Sequence, residues 1–144
     1  MSMTDIFRSL GRSDALKLRE EAHALTGTQI IDREFCIPAF DPTKDYSTFP
    51  VGAPVADENQ VWLLIQPHNA SHYSGRPATL RALWGLAHTT NAAKAKARVD
   101  PYGTSGMYML DECCTFDGRT WRCIHDDNPY SPADYAQWWE EVIL

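Results

Sequence analysis

Apolar residues along this chain fall in short runs between polar turns, and from Phe49 onward the runs repeat. The series Phe49, Gly52, Val55, Asn59, Trp62, Ile65, Asn69, Pro77, Trp84 is echoed about 59 residues later by Tyr108, Asp111, Cys114, Gly118, Trp121, Ile124, Asn128, Pro132, Trp139. The spacing holds from Phe49/Tyr108 through Asn69/Asn128, and the second copy then has a loop four residues shorter before its closing tryptophan. Self-similarity of this kind marks small repeated modules rather than one enzyme core. Each copy predicts a strand near Val55 or Cys114, a tight turn at Glu58-Asn59 or Asp117-Gly118, and a return strand over 61–65 or 120–124. Asp-Gly between two such runs is a strong hairpin signal. Two strands alone are marginally stable, so Trp84 and Trp139 are expected to close each core as a lid.

Upstream of the repeats the pattern is helical. Ser13 is placed to cap a helix over 14–25, with Leu16, Ala22 and Leu25 as a partial apolar stripe and Gly27 as its C-terminal stop. Thr28 is placed to cap a second short helix over 29–34, ended before Pro38. A hairpin this thinly apolar is expected to dock on the chain's own modules or on identical helices of sister subunits. Residues 39–47 read as a linker or an extended lead-in strand, and 88–106 as a connector with a helical turn over 92–98 and a turn at Asp100-Pro101-Tyr102-Gly103. The expected fold is mainly β: two small antiparallel β-hairpin or three-stranded modules in tandem, preceded by a short α-helical hairpin. The segments are 1–38 (helical docking or oligomerisation), 39–87 (repeat 1), 88–106 (connector) and 107–144 (repeat 2).

Composition narrows the partners. Modules of roughly 40 residues bury little apolar surface, so large aromatics and contacts with neighbouring chains are expected. Lys and Arg total 13 against 19 Asp and Glu, a net charge of −6. That argues against nucleic acid, which needs a clustered basic surface; the only basic cluster is Lys94, Lys96 and Arg98. No stretch approaches the ~20 apolar residues of a membrane span, and residues 1–10 lack the apolar core of a signal peptide. Cys36, Cys113, Cys114 and Cys123 match neither a disulfide framework nor a zinc ribbon. They read first as buried reduced thiols. A Cys114–Cys123 pair across neighbouring strands and a metal site from Cys113, Cys123 and His125 are the alternatives.

The residue order of the repeats resembles the small chitin-binding-type carbohydrate-binding modules of families 5 and 12. Phe116-Asp117-Gly118-Arg119-Thr120-Trp121-Arg122-Cys123 with Trp139-Glu140-Glu141-Val142 is the clearer match. The first copy matches through Phe49-Pro50-Val51-Gly52, Ile65-Gln66-Pro67-His68-Asn69 and Leu83-Trp84. The whole arrangement is also similar to small proteins of phage and prophage tails of Gram-positive bacteria, through Leu18-Arg19-Glu20-Glu21, the stretch 88–96 and the stretch 103–109. The resemblance implies a non-enzymatic virion protein of a tail or baseplate, made in the bacterial cytoplasm, that attaches to host surface glycans such as cell-wall polysaccharide. It implies other tail or baseplate proteins as partners and needs no cofactor or metal.

Sugar-binding modules lay exposed aromatic rings flat against pyranose faces. The family's tandem-tryptophan platform is replaced here by Ile65-Gln66 and Ile124-His125. Trp62, Trp84, Trp121 and Trp139 recur in both copies and read as structural core. Trp138 is matched only by Leu83 and points elsewhere if Trp139 is the lid. The carbohydrate-binding candidates are therefore Trp138, the loop residues Tyr130, Tyr135 and Tyr73, and His125 and His68 beside the altered platform.

Catalysis is not expected. Asp126-Asp127 and Glu140-Glu141 are the candidate carboxylates, but glycoside hydrolysis needs two carboxyls about 5–10 Å apart across a cleft, and adjacent strand residues face opposite ways. No nucleophile motif or phosphate loop occurs. A second reading is a structural adaptor of a tail-like particle that uses the modules for protein contacts and forms homo-oligomers through the N-terminal helices.

Overall fold

A computed structural model describes the backbone from Met3 and the side chains from Arg12 through Leu144. It has one longer helix near the N-terminus and two sheets of three and four strands, a mixed α/β architecture with substantial strand content. The chain divides into two compact units, Met1–Gly85 and Leu86–Leu144.

Helix α1 spans Met3–Glu21, so Ser13 sits inside it rather than capping it. A serine caps only where the preceding backbone leaves the helix, and here the residues before it are already helical. Among the described residues Leu18 of α1 and Ala22 of the 3-10 turn that follows it are buried, whereas Leu16 is exposed. Helix α2, Gly27–Asp32, is capped by Thr26, two residues before Thr28. The Thr26 hydroxyl accepts from the Gln29 N–H (3.2 Å) and the Gln29 side-chain oxygen accepts from the Thr26 N–H (2.9 Å). This capping box makes Gly27 the first helical residue instead of a stop. Ile30 and Ile31 of α2 are both fully buried, so the helices carry more core than the sequence stripe shows.

The first sheet orders strands β1 (Pro54–Asp57), β2 (Gln60–Leu64) and β3 (Trp84–Leu86) as β1-β2-β3. Asp57 pairs with Gln60, which leaves Glu58 and Asn59 as a two-residue turn. Both have positive φ, 53° and 62°, the signature of a type I′ turn. The lead-in segment is extended and lies along β1: Phe40 N–H donates to Ala56 O and Ala56 N–H to Pro38 O. Phe40 and Tyr46 from this segment pack edge-on to the fully buried Trp84, with centroids 5.8 and 5.3 Å away. The buried Asp57 carboxylate is neutralised by the Arg76 guanidinium, which donates to it through two nitrogens.

The second sheet has four strands: β4 (Lys96–Ala97), β5 (Cys113–Phe116), β6 (Arg119–Cys123) and β7 (Trp139–Val142), in that order. β5–β6–β7 are antiparallel, and Asp117 and Gly118 (φ 52° and 74°) form the same type of turn as in the first unit. β4, which runs parallel to β5, comes from the segment expected to be a connector. Only 92–94 of that segment forms a helical turn, a 3-10 turn, before β4 begins. The connector is drawn onto β5 because a lone hairpin edge leaves N–H and C=O groups unpaired. The core here is Tyr108, Cys114, Cys123 and Trp139, with Trp121 and Trp138 packed partly against it.

The four cysteines are all free thiols. Burial pushes the Cys114 thiol up to about 12 and also raises Cys113 and Cys123. Among the described residues no group of three or more His, Cys, Asp or Glu is arranged to hold a metal ion, and no helix is long and apolar enough to cross a membrane.

Two outcomes follow for stability and reactivity. Gly52 (φ 95°) faces the backbone of His23, so an added Cβ would lie 3.2 Å from it, whereas Gly118 (φ 74°) has open space around it. Gly118→Ala should therefore cost only the left-handed penalty, about 1–2 kcal/mol, and Gly52→Ala should cost about 1–3 kcal/mol more for overpacking. Denaturant midpoints read this, and equal losses would contradict the packing of the helical segment on the Gly52 turn. Raised pKa values keep thiols protonated and unreactive at pH 8. Mass analysis after brief iodoacetamide treatment should find at most Cys36, the half-buried one, alkylated in the folded chain, and all four after denaturation.

Candidate functional site

β7 begins with Trp139, whose ring turns into the core, where its Nε1–H donates to Tyr130 O at 3.0 Å. Trp138, the last residue of the 3-10 turn at 136–138, is half-buried and packs only partly against that core. The chain leaving β6 returns beside it: Ile124 N–H donates to Trp138 O at 2.9 Å. The next residue, His125, is exposed and stacks flat on the Trp138 ring, with centroids 3.6 Å apart and planes at 2°. His125 Nδ1–H donates to Asp126 O, which fixes the ring against rotation and leaves Nε2 for other partners.

Two loop tyrosines complete the cluster. Tyr135 stands edge-on to Trp138 (5.1 Å, 74°), and Tyr130 is tilted against it (5.6 Å, 59°) and against Tyr135 (5.3 Å, 33°). Tyr130 is 43% and Tyr135 38% exposed, enough for either ring to present a face or edge to a ligand. The structure thus brings together four sequence candidates, Trp138, His125, Tyr130 and Tyr135, that are spread over 14 positions of sequence.

Asn128 holds this arrangement from behind. It is fully buried; its side-chain oxygen accepts from Tyr130 N–H (2.9 Å), and its Nδ2 donates to Cys123 Sγ (3.3 Å) and Trp138 O (3.5 Å). One side chain therefore ties the Tyr130 loop, the end of β6 and the residue before β7. The repeat singles out Asn128, but its role appears only once these three segments meet. Its counterpart Asn69 does a more local task, accepting from the N–H and hydroxyl of Ser71.

The first unit does not reproduce the cluster. His68 is only 7% exposed and packs against Tyr46 and Trp84, with Nδ1 donating to Gln66 O at 2.8 Å. Tyr73 is exposed and meets His68 edge-on at 5.3 Å, with His68 behind it rather than beside it on the surface. Trp62, Trp84 and Trp139 are buried, while Trp121 is half-buried at the rim of its core with Nε1–H donating to Phe116 O.

Exposed apolar residues of the second unit that are absent from the sequence candidates include Met109, Leu110 and Ile124, each more than 40% exposed. Leu110 N–H donates to Asp126 Oδ1 and Asp127 N–H to Met109 Sδ, so the 109–111 turn is fastened beside the stretch that follows His125. Ile124 falls on a repeated position, in the pair that stands where the family's tryptophan platform would be. Met109 and Leu110 carry no pattern that separates a surface apolar residue from a core one.

Two carboxylates of this region, Asp126 and Glu141, are already engaged in local structure. Asp126 accepts from Leu110, Asp127 sits in a positive-φ turn (φ 52°), and Glu141 pairs with Arg119 at 3.6 Å across β6–β7. No protein-family model matches this chain, and no curated protein matches it.

Asn128→Ala removes a buried acceptor and donor, leaving the Tyr130 N–H without its partner, at a cost of about 1–3 kcal/mol. The expected outcome is a lower denaturation midpoint together with red-shifted tryptophan fluorescence as Trp138 loses its fixed stacking. An unchanged spectrum in a folded variant would show that Asn128 does not hold the cluster.

Proposed function

We propose that this chain is a non-enzymatic tail or baseplate component of a phage particle, and that it attaches to host surface glycans through the aromatic cluster of its second repeat. On this reading the chain comprises a helical docking segment (1–38), two modules like those of carbohydrate-binding families 5 and 12 (39–87 and 107–144) and a connector (88–106). The observation that carries it is the Trp138–His125 stack flanked by Tyr130 and Tyr135. A pre-assembled ring cluster with His125, Tyr130 and Tyr135 exposed suits the C–H faces of pyranoses, and the His125 Nε2, tyrosine hydroxyl and backbone groups around it suit sugar hydroxyls. A single shallow site of this type binds weakly, and many copies on one particle multiply it by avidity. The engagement of Asp126 and Glu141 in local hydrogen bonds and ion pairs favours binding over hydrolysis.

The adaptor reading draws on the exposed Met109, Leu110 and Ile124 in the same unit, since a neighbouring apolar surface suits a protein partner better than a glycan. One experiment separates the two. The full chain, displayed multivalently, is pulled down with purified host cell-wall polysaccharide, alongside Trp138→Ala and Ile124→Asp variants. For a central aromatic anchor, Trp138→Ala should weaken binding by roughly 30-fold, the equivalent of about 2 kcal/mol, while Ile124→Asp leaves it within a few-fold. Retention of full binding by a folded Trp138→Ala chain would refute the glycan reading. Loss of particle incorporation in the Ile124→Asp chain, with no polysaccharide bound by the wild type, would establish the adaptor instead.

A further inference from the structure

The first unit holds a second site, unconnected with the aromatic cluster. A cleft of about 350 Å³ opens between helix α1 and the lead-in segment to β1, within the size range of small-molecule sites, about 300–1,000 Å³. Arg12, Ala15, Leu16 and Arg19 form one face of α1 at helical spacing, and all four line the cleft. This face is distinct from the Leu18–Ala22 face that enters the core. Opposite it, Tyr46, Phe49 and Pro54 supply an apolar floor.

The cleft is cationic in a chain whose net charge is −6. Arg12 and Arg19 come from α1 and Lys44 from the facing loop. The Arg19 guanidinium lies 4.1 Å from the Phe49 ring centroid and the Lys44 ammonium 5.3 Å from it, so both cations lie against the same aromatic ring. Among the described residues none of the three is ion-paired with a carboxylate, and Arg19 Nε is buried with no hydrogen-bond acceptor. With no carboxylate partner among the described residues, the guanidinium charge is left to pair with an incoming anion. The one acid among the described residues of the rim, Asp41, is turned to its own loop. It accepts from the Thr43 N–H (2.9 Å) and hydroxyl (2.7 Å), which hold its carboxyl below the usual range, ionised and satisfied.

We propose that this cleft binds a small amphiphilic carboxylate, an acyl or aryl acid whose apolar body lies on Leu16, Tyr46, Phe49 and Pro54 and whose head is held by Arg12, Arg19 and Lys44. The apolar floor alone would accept any greasy molecule; the three cations select the acid. Arginine suits this role because it is weakly hydrated and pairs with a carboxylate while stacking on an aromatic ring. A cationic molecule of the same body would set like charges together, and a neutral one would forgo the charge-assisted hydrogen bonds.

The test titrates the full chain with decanoate and 2-naphthoate, against decanol and decylammonium as matched controls, followed by amide chemical shifts. Saturable one-to-one binding of the acids is expected, with shifts centred on 12–19 and 38–54, and binding of decanol weaker by about tenfold or more, as one charge-assisted hydrogen bond provides. Arg19→Gln should reduce decanoate affinity by about the same factor and leave decanol unaffected. Arg12→Gln, on the exposed rim, should do so more weakly without any risk to folding. Decanol binding as tightly as decanoate, shifts elsewhere on the chain, or decanoate affinity unchanged in both variants would each overturn the proposal.

Discussion

The closing tryptophan of each unit is the constraint on which the rest depends. A two-residue hairpin exposes one whole face of each strand, and a sheet that small has no core until a third strand returns over it. In the second unit Trp139 does this, pairing opposite Cys123 and packing on Tyr108, Cys114 and Cys123. Trp138, just before it in the 3-10 turn, packs only partly against that core, and the hydrogen bond from Ile124 brings His125 alongside it. The aromatic cluster is thus a consequence of closing the core: the same return of the chain that completes the fold presents the rings.

The two units solve the problem of a small sheet in different ways, and this is why they differ at the surface. The first recruits its cover from upstream, with Phe40 and Tyr46 packing on Trp84 and helices α1 and α2 supplying Leu18, Ile30 and Ile31. With that much aromatic surface to fill, His68 is taken into the core and cannot serve as a surface ring. The second recruits its cover from the connector: β4 joins β5, and His88 stacks on Tyr108 at 3.8 Å while its Nδ1 meets Glu112 at 3.1 Å. Its core is smaller, and the aromatics of its 128–138 loop stay at the surface.

The helical segment also has two faces with different tasks. Leu18 and Ala22 hold it to the first unit, and the Arg12–Arg19 face is left over a cleft whose far wall is the lead-in segment. The close approach of the His23 backbone to Gly52 couples that segment to the turn that starts the first repeat. A position that reads in sequence as a simple turn glycine is therefore also a packing constraint.

Much of this was legible in the residues. The 59-residue echo, the two-residue turns at Glu58-Asn59 and Asp117-Gly118 and the inward Trp84 and Trp139 follow from local turn chemistry and from what recurs. So does the separate status of Trp138, which the repeat leaves unmatched. Helix limits were not legible, because Thr26, Gly27 and Thr28 each satisfy some end rule, and only the reciprocal bonds between Thr26 and Gln29 select among them. Neither was β4, whose two residues pair only because β5 offers an open edge. The sequence by itself determined which residues could close a core and which rings were spare. Tertiary structure decided which spare rings meet, that His68 is buried while His125 is exposed, and that Arg12, Arg19 and Lys44 share a cleft. Those outcomes depend on distances between segments remote in the chain, which no local rule of propensity or spacing encodes.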